Sequence, residues 1–269
     1  MKKIIIIIAT TVIITVYFLW GNLSIATTEI SVKSSSLPSS FDGFKIVHGS
    51  DLHNDEFGDD NQRLLSLIRS THPDIIAITG DLIDSRRTDF DVAEDFVENA
   101  LKIAPVYYST GNHESRLKNF YSAEKEFIEE GAVVLRNKSV YIEKGNGSIL
   151  IAGIDDPDFK SIDTSSAIKS IKEDGVFTIL LSHRPEIFDI YCQEDIDLTL
   201  SGHAHGGQFR FPFIGGLYAP HQGFMPQYTS GLYTNGSSDM IVSRGLGKSI
   251  FPLRFNNRPE IVVITLKSK

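Results

Sequence analysis

The chain predicts an α/β fold built on a parallel sheet, on three observations. Short apolar runs at residues 44–49, 74–79 and 105–110 alternate with segments at 62–70 and 91–101 whose apolar residues recur three and four apart. That β-α-β-α-β order calls for parallel strands joined by right-handed crossovers. Each of the three strands also runs into a polar residue, at Asp51, at Gly80-Asp81 and at Gly111-Asn112. The carboxyl ends of parallel strands are where functional groups gather in such sheets.

At the start of the chain, Lys2 and Lys3 precede an apolar run over residues 4–20 that only Thr10, Thr11 and Thr15 interrupt. The run is at the short end of the roughly 17–25 residues that cross a bilayer. It exceeds the roughly 7–15-residue core of a cleaved signal. Isoleucine on every face argues against a core helix, which needs only one apolar stripe. Residues 1–21 are therefore expected to be a membrane anchor or signal segment, the uncleaved anchor being preferred. Ser24-Ile25-Ala26 is a usable small-x-small cleavage site, and cleavage there would give a secreted protein. Lysines ahead of the span place the remainder outside the cytoplasm, so the expected setting is the cell membrane with an extracytoplasmic catalytic domain.

Residues 22–42 are polar and rich in serine and threonine, and read as a linker with a short edge strand at 29–32. Residues 43–269 are expected to form one catalytic domain. After the first three strands, the runs at 132–135, 140–143 and 149–153 read as antiparallel hairpin strands. Two apolar strands, at 177–181 and 198–200, each run into a histidine, and strands near 240–243 and 260–266 close the pattern. There is no internal repeat.

A chain of 269 residues is long enough to bury a sizeable core. Its net charge of −8 argues against a nucleic-acid binder, which needs a clustered basic face. Acidity does not exclude an anionic substrate, because bound metal charge can outweigh the distant surface field. Cys192 is the one cysteine, so neither an internal disulfide nor a thiolate metal site is available, and it reads as a small buried apolar residue.

Asp51 and His53 stand two apart beyond the first strand; if the chain is still extended there, both side chains point to one side. Asp81, Asn112-His113-Glu114, His183, His203 and His205 also follow apolar strands. Singly, such residues are commonplace turn or hydrogen-bonding groups. Jointly they are not, because five of the eight histidines lie at strand ends, beside acids and an amide at other strand ends. His48, His72 and His221 fall outside this pattern and take the structural reading.

In the order Asp51-x-His53, Gly80-Asp81-x-x-Asp84, Gly111-Asn112-His113-Glu114, His183 and Gly202-His203-x-His205, residues 44–265 resemble the calcineurin-like metallophosphoesterases. The resemblance implies two packed mixed β-sheets flanked by helices, an αββα sandwich. It implies that Asp51, His53 and His205 hold one metal, that Asn112, His183 and His203 hold a second, and that Asp81 bridges them. It implies His113 as the proton donor, oriented by Asp84, which otherwise reads as a turn or helix-capping residue. Glu114 reads as a supporting acid.

Nitrogen and oxygen donors without thiolate suit Mn²⁺, Fe²⁺ or Fe³⁺, and Zn²⁺. A carboxylate has two oxygens, so Asp81 can serve two ions about 3.5–4 Å apart. Two divalent ions outweigh Asp51 and Asp81, so even with hydroxide bound a charge of roughly +1 faces the substrate. The expected reaction is in-line attack of a metal-bound hydroxide on phosphorus. The expected substrate is a phosphoester, a diester in preference to a monoester, small or envelope- or lipid-linked, rather than nucleic acid of a given sequence.

The segment at 206–216 is rich in glycine and aromatics. Glycine beside His205 lets backbone approach the metals, while Phe209, Phe211, Phe213 and Ile214 read either as core or as an apolar lip facing lipid. Arg86, Arg210 and Arg244 are candidate phosphate clamps, with ordinary surface roles as the alternative. The chain departs from protein serine/threonine phosphatases in having Ser85-Arg86-Arg87 after Asp84. The runs at 202–208 and Asn256-Asn257-Arg258-Pro259 look like the bacterial YkuE/YaeI-like branch, which combines membrane targeting with phosphodiesterase-type activity. A UDP-2,3-diacylglucosamine-type pyrophosphatase is the alternative within the superfamily; it needs a cytoplasmic site, which Lys2 and Lys3 oppose. A non-catalytic metal-binding module would lack a ligand or the proton donor, and neither is lacking.

Overall fold

The computed structural model describes residues 1–248 and 251–269. Helix α1 (Lys2–Leu23) leads directly into strand β1 (Ala26–Ser34). The expected alternation follows as β2 (Lys45–Gly49), α2 (Gln62–Ser70), β3 (Ile75–Thr79), α3 (Phe90–Leu101) and β4 (Val106–Ser109). A one-turn helix α4 (Asn112–Ser115), α5 (Phe120–Glu130) and β5 (Val133–Val134) complete the first half. The second half contains β6 (Lys138–Lys144), β7 (Gly147–Gly153), α6 (Thr164–Ile171), β8 (Thr178–Leu181), α7 (Phe188–Gln193) and β9 (Leu198–Ser201). Two short hairpins come next, β10 (Arg210–Phe211) with β11 (Gly215–Gly216) and β12 (Tyr218–Ala219) with β13 (Gly223–Phe224). The last strands are β14 (Gly231–Asn235), β15 (Ser238–Val242) and β16 (Glu260–Ser268).

Two six-stranded mixed sheets result, ordered β1-β16-β2-β3-β4-β5 and β14-β15-β9-β8-β7-β6. Strands β2 to β5 are parallel in the first, and β15, β9, β8 and β7 in the second. Ile46, Ala77 and Ile264 of the first sheet pack on Ile151, Ile179, Leu200 and Ile241 of the second. Helices α2 and α3 bury single faces, Leu64, Leu65 and Ile68 on one and Ala93, Phe96, Val97 and Ala100 on the other. With α5 they cover the outer face of the first sheet, while α6 and α7 cover that of the second through Ile168, Phe188 and Tyr191. The layers are helix, sheet, sheet, helix, as the resemblance implied, because each sheet has apolar side chains on both faces and both must be covered.

Two local expectations change. The stretch read as a linker at 22–42 holds β1, which pairs in parallel with β16 over nine residues, from Ala26↔Glu260 to Ser34↔Ser268. It is a sheet edge longer than the strand expected at 29–32: its threonines and serines fit a half-exposed pleated surface, where polar side chains mark an edge as readily as a linker. The run at 132–135 is not part of an antiparallel hairpin either. β5 pairs in parallel with β4, because α5 carries the chain back across the sheet before it. The true hairpin is β6 with β7.

Helix α1 buries no residue, and its apolar window has a mean hydropathy of 2.4, long and apolar enough to cross a membrane. Only its last turns meet the body. Asn22 Oδ1 accepts from Arg254 N at 2.7 Å and Asn22 Nδ2 donates to Arg254 O at 3.1 Å. The Arg258 guanidinium lies 4.6 Å from the centre of the Trp20 ring.

Ile179 is fully buried between the two sheets. Ile179→Ala should cost about 2–5 kcal/mol. Urea unfolding should show this as a lower midpoint with little change in slope.

Candidate metal centre

Each candidate ligand stands just past the end of a parallel strand: Asp51 and His53 after β2, Asp81 after β3, Asn112 after β4, His183 after β8, and His203 and His205 after β9. The facing sheets bring these ends together into two buried groups, Asp51 with His53 and His205, and Asp81 with His183 and His203. In the first, His205 Nε2 lies 3.3 Å from both Asp51 Oδ1 and His53 Nε2. In the second, His183 Nε2 is 3.2 Å from Asp81 Oδ2 and 3.1 Å from His203 Nδ1. Asp81 Oδ2 is also 3.7 Å from His53 Nε2, so one carboxylate oxygen faces both groups. The Asn112 amide oxygen points at the ring nitrogens of His183 and His203, 3.3 and 2.8 Å away.

These contacts set acceptor against acceptor. His183 Nδ1 donates to Thr79 O at 2.7 Å, which leaves its Nε2 lone pair directed at Asp81. Swapping the Asn112 amide would place a donor opposite the histidines, yet a cation at the centre of the group satisfies the oxygen and both nitrogens at once. The donors therefore fit metal in two adjoining positions, with mixed nitrogen and oxygen ligation.

Electrostatics agree. Burial lowers His53 and His205 to about 3 and His203 well below its ordinary value, so all three are neutral and able to ligate near pH 7. Burial pushes the Asp81 carboxyl up, but the charge and hydrogen bond of His183, with His53 and His113, outweigh it and hold the group well below the usual range. Burial lowers His183 too, yet Asp81 raises it to about 10; without metal, its imidazolium supplies the positive charge Asp81 calls for.

The loops are bent sharply to make this possible. Asp51, His53, Asp81, His203 and His205 all have positive φ, between 45° and 64°. Asp51 and His53 thus reach a common site through a left-handed turn rather than by continuing the strand, which corrects the extended expectation. The turn is laced to its neighbours: Asp51 N and His53 N donate to Gly80 O and Asp81 O, each at 3.0 Å. Asp and His tolerate this region better than most residues, and hydrogen bonds on several sides hold them in it. Gly202 has no alternative, since a Cβ there would run into Ser50 Oγ and the Asp51 carboxylate.

Glu114, expected only as a supporting acid, is the brace of the centre. It is fully buried and accepts from Asp81 N, Ile83 N and Gly111 N at 2.9, 3.2 and 2.8 Å. Burial and the Asp81 charge raise its pKa to about 7 against those three N–H groups. It ties the loop carrying Asp81 to the loop carrying Asn112.

His113 stands beside the first group, its ring centre 4.6 Å from that of His53. Ser85 N donates to His113 Nδ1 at 3.0 Å. The Asp84 carboxylate reaches the same nitrogen at 3.3 Å and is itself held by Arg86, through Nε at 2.9 Å and Nη2 at 2.8 Å. Burial raises the Asp84 pKa and the Arg86 hydrogen bond more than reverses this, so Asp84 stays ionised. Arg86 is thereby a partner of Asp84. Arg244 is bound to Glu260, its Nε 2.7 Å from Oε2, and Arg210 donates to Gly206 O at 2.8 Å.

Sequence reasoning passed over a neighbouring cluster. Buried Arg184, next to His183, donates to Asp156 through Nε at 2.5 Å and Nη2 at 2.9 Å. Its Nη1 lies 2.8 Å from His221 Nδ1, which in turn sits 2.9 Å from His203 Nε2. His221, read as purely structural, thus borders the centre, half exposed. Asp156 follows the parallel strand β7, so the strand-end rule already pointed at it. His221 comes from the loop between β12 and β13 and carries no such signal. His48 keeps its structural reading, its Nε2 2.8 Å from Thr79 Oγ1, and His72 is exposed.

Comparison with known proteins places this geometry. Residues 44–207 match the family model described as calcineurin-like phosphoesterase. The chain is 36% identical over 250 residues to the uncharacterized metallophosphoesterase YkuE of Bacillus subtilis, covering 91% of this chain and 86% of that one. It is 30% identical over 234 residues to the phosphodiesterase YaeI of Escherichia coli, covering 83% and 82%. Among solved structures, TT1561 of Thermus thermophilus shares the fold at a TM-score of 0.52 and 14% identity, covering 76% of this chain and 90% of that one.

Glu114→Ala leaves three buried N–H groups without an acceptor and should cost about 2–4 kcal/mol. It should also weaken metal binding by about 10- to 100-fold, read by competition with a chromophoric chelator. Glu114→Gln, which keeps one acceptor oxygen, should fall between it and the parent.

Proposed function

Because the chain belongs to the calcineurin-like phosphoesterase family, we propose that it is a binuclear metal-dependent phosphodiesterase. Membership makes it a phosphoester hydrolase of a divalent-metal-dependent kind. The two-ion reading is carried by one observation: Asp81 Oδ2 lies between two separate donor groups, 3.2 Å from His183 and 3.7 Å from His53. Asp51, His53 and His205 would hold one ion, Asn112, His183 and His203 the other, and Asp81 both. When bound, the ions supply Lewis-acid stabilisation of the phosphoryl oxygens and a water nucleophile acidic enough to act near pH 7. Mn²⁺, Fe²⁺ or Fe³⁺, and Zn²⁺ all suit these donors.

His113 is the proposed proton donor to the leaving alkoxide. With Nδ1 accepting from Ser85 N, the neutral ring carries its proton on Nε2, the nitrogen left free for substrate. Asp84 is the proposed positioning residue: kept ionised by Arg86, its carboxylate stands 3.3 Å from His113 Nδ1 and fixes the ring's orientation. A phosphodiester is preferred as substrate because the relative YaeI is named a phosphodiesterase. A pyrophosphate of a lipid-linked nucleotide sugar is the second reading.

We further propose that α1 is a retained anchor with the catalytic domain outside the cytoplasm. Lys2 and Lys3 support the orientation. Retention is supported by the folded state of the cleavage motif: Arg258 donates to Ser24 Oγ and Ile25 O, each at 2.8 Å, and Ala26 N donates to Pro259 O at 2.7 Å.

The full chain in detergent with Mn²⁺ should hydrolyse an aryl phosphodiester, and Asp81→Ala should abolish turnover. His113→Ala should lower kcat by about 10²–10⁴ while metal content stays the same. A chain that binds metal yet hydrolyses no phosphoester with Mn²⁺, Zn²⁺ or Fe²⁺ would count against the assignment. Fusions at the carboxyl end should give active alkaline phosphatase and dark green fluorescent protein. The opposite pattern would reverse the orientation and favour the nucleotide-sugar pyrophosphatase.

A further inference from the structure

The exposed apolar side chains of the body are concentrated on one face. All four exposed phenylalanines among the described residues, Phe211, Phe213, Phe224 and Phe251, belong to the hairpins after β9 or to the segment before β16, with Ile214 and Met225 beside them. Phe213 and Phe224 are the extremes, 108% and 76% exposed. The two segments are joined: Gln208 Nε2 donates to Phe251 O at 2.9 Å and Leu253 O at 2.7 Å, and Arg210 N to Phe255 O at 2.9 Å.

This face is continuous with the end of α1. The Phe255 ring bridges them, 5.6 Å from Phe211 on one side and 6.1 and 6.2 Å from Phe18 and Tyr17 on the other. Tyr17 and Trp20, with Arg258 over Trp20, form the aromatic and cationic collar found where a spanning helix leaves the hydrocarbon. With α1 as the proposed anchor, the lip meets it at the level of this collar.

Charge sets the same face apart. The sequence has 34 acidic residues and a net charge of −8, yet residues 1–28, 198–238 and 240–259 contain none. Those three segments supply α1, the hairpins and the Phe251–Arg258 stretch, along with Arg210, Arg244, Lys248, Arg254 and Arg258. A water-facing or acidic-partner surface does not require such a gap. Aromatic tips that supply no carboxylate of their own suit headgroups that are often anionic, while the nearby Lys248 and Arg244 are paired with Asp55 and Glu260 from neighbouring segments.

We propose that the Phe211–Phe224 hairpins and the Phe251–Phe255 segment dock into the leaflet from which α1 emerges, with Phe213 and Phe224 inserted. The same two regions flank the loop carrying His205: Asn257, before β16, donates through Nδ2 to His205 O at 2.7 Å and Gln208 O at 3.1 Å, and Gly216 of the first hairpin packs against Gly207. Docking thus seats the metal centre beside the bilayer, where it acts on phosphoesters carried by lipid; this second step rests on the hydrolase assignment.

The test uses the full chain with Cys192→Ser and one new cysteine, Phe213→Cys, Phe224→Cys or Tyr121→Cys, labelled with an environment-sensitive dye. Tyr121 is 69% exposed on α5 and serves as the control. In vesicles of phosphatidylethanolamine and phosphatidylglycerol, spin-labelled acyl chains should quench the dye several-fold more at 213 and 224 than at 121. Equal quenching at all three overturns the docking. In the same vesicles, Phe213→Glu with Phe224→Glu should cut hydrolysis of a lipid-borne phosphodiester by about tenfold and leave a soluble aryl phosphodiester within about twofold. Parallel loss on both, or on neither, overturns the lipid-presentation step. No hydrolysis of either substrate by the parent refutes the hydrolase assignment instead, and quenching alone then decides the docking.

Discussion

The structure turns on a set of buried acceptors aimed at one another. His183, His203 and Asn112 on one side and Asp51, His53 and His205 on the other converge with lone pairs opposed, and Asp81 stands between them. Burial makes the arrangement costly unless positive charge sits at its centre, because neither carboxylate nor imidazole has water to turn to. Divalent metal bound among these donors would answer that need. Without it the best available substitute is a proton on His183, held there by Asp81.

Much of the surrounding fold follows from holding those groups still. Parallel strands end along one rim, and the chain must turn at once to point its side chains inward. The turns take the left-handed region at five ligand positions, and glycines at 80 and 202 admit backbone where no Cβ would fit. Glu114 then fastens two of the loops with a single carboxylate. The loop after β15 closes the far side, with Leu246 N and Gly247 N donating to Ser50 O and Asp51 O. That loop is itself gripped by Arg254, which Asn22 of α1 holds at its backbone. Helix α1 is thus in mechanical continuity with the loop behind Asp51.

Electrostatics divide the molecule in two. The stretches without acidic residues, 1–28, 198–238 and 240–259, supply α1, the hairpins and the segment before β16, where carboxylates enter only from neighbouring segments, Asp55 on Lys248 and Glu260 on Arg244 among them. An acidic protein can in this way offer an anionic phosphoester a local approach that its net charge does not foretell.

The β-α-β-α-β order, the long apolar helix at the start and the polar residues that gather at the strand ends were legible along the chain, since each depends on local periodicity and on a polar residue following an apolar strand. The ligand motifs in order were enough to identify the fold class. Pairings between distant segments were not legible. β1 reads as a linker because its serine and threonine suit both an edge strand and a coil, and only its match to β16 distinguishes them. β5 became a parallel strand because α5 returns the chain to the sheet. His221 borders the centre because a hairpin with no motif of its own folds back on His203. Glu114 became a brace because two N–H groups of the loop after β3 and one at the cap of its own helix happen to surround it. Local pattern is written in neighbouring residues; which strand ends and loops confront one another is decided by how the two sheets pack, and that is a property of the whole chain.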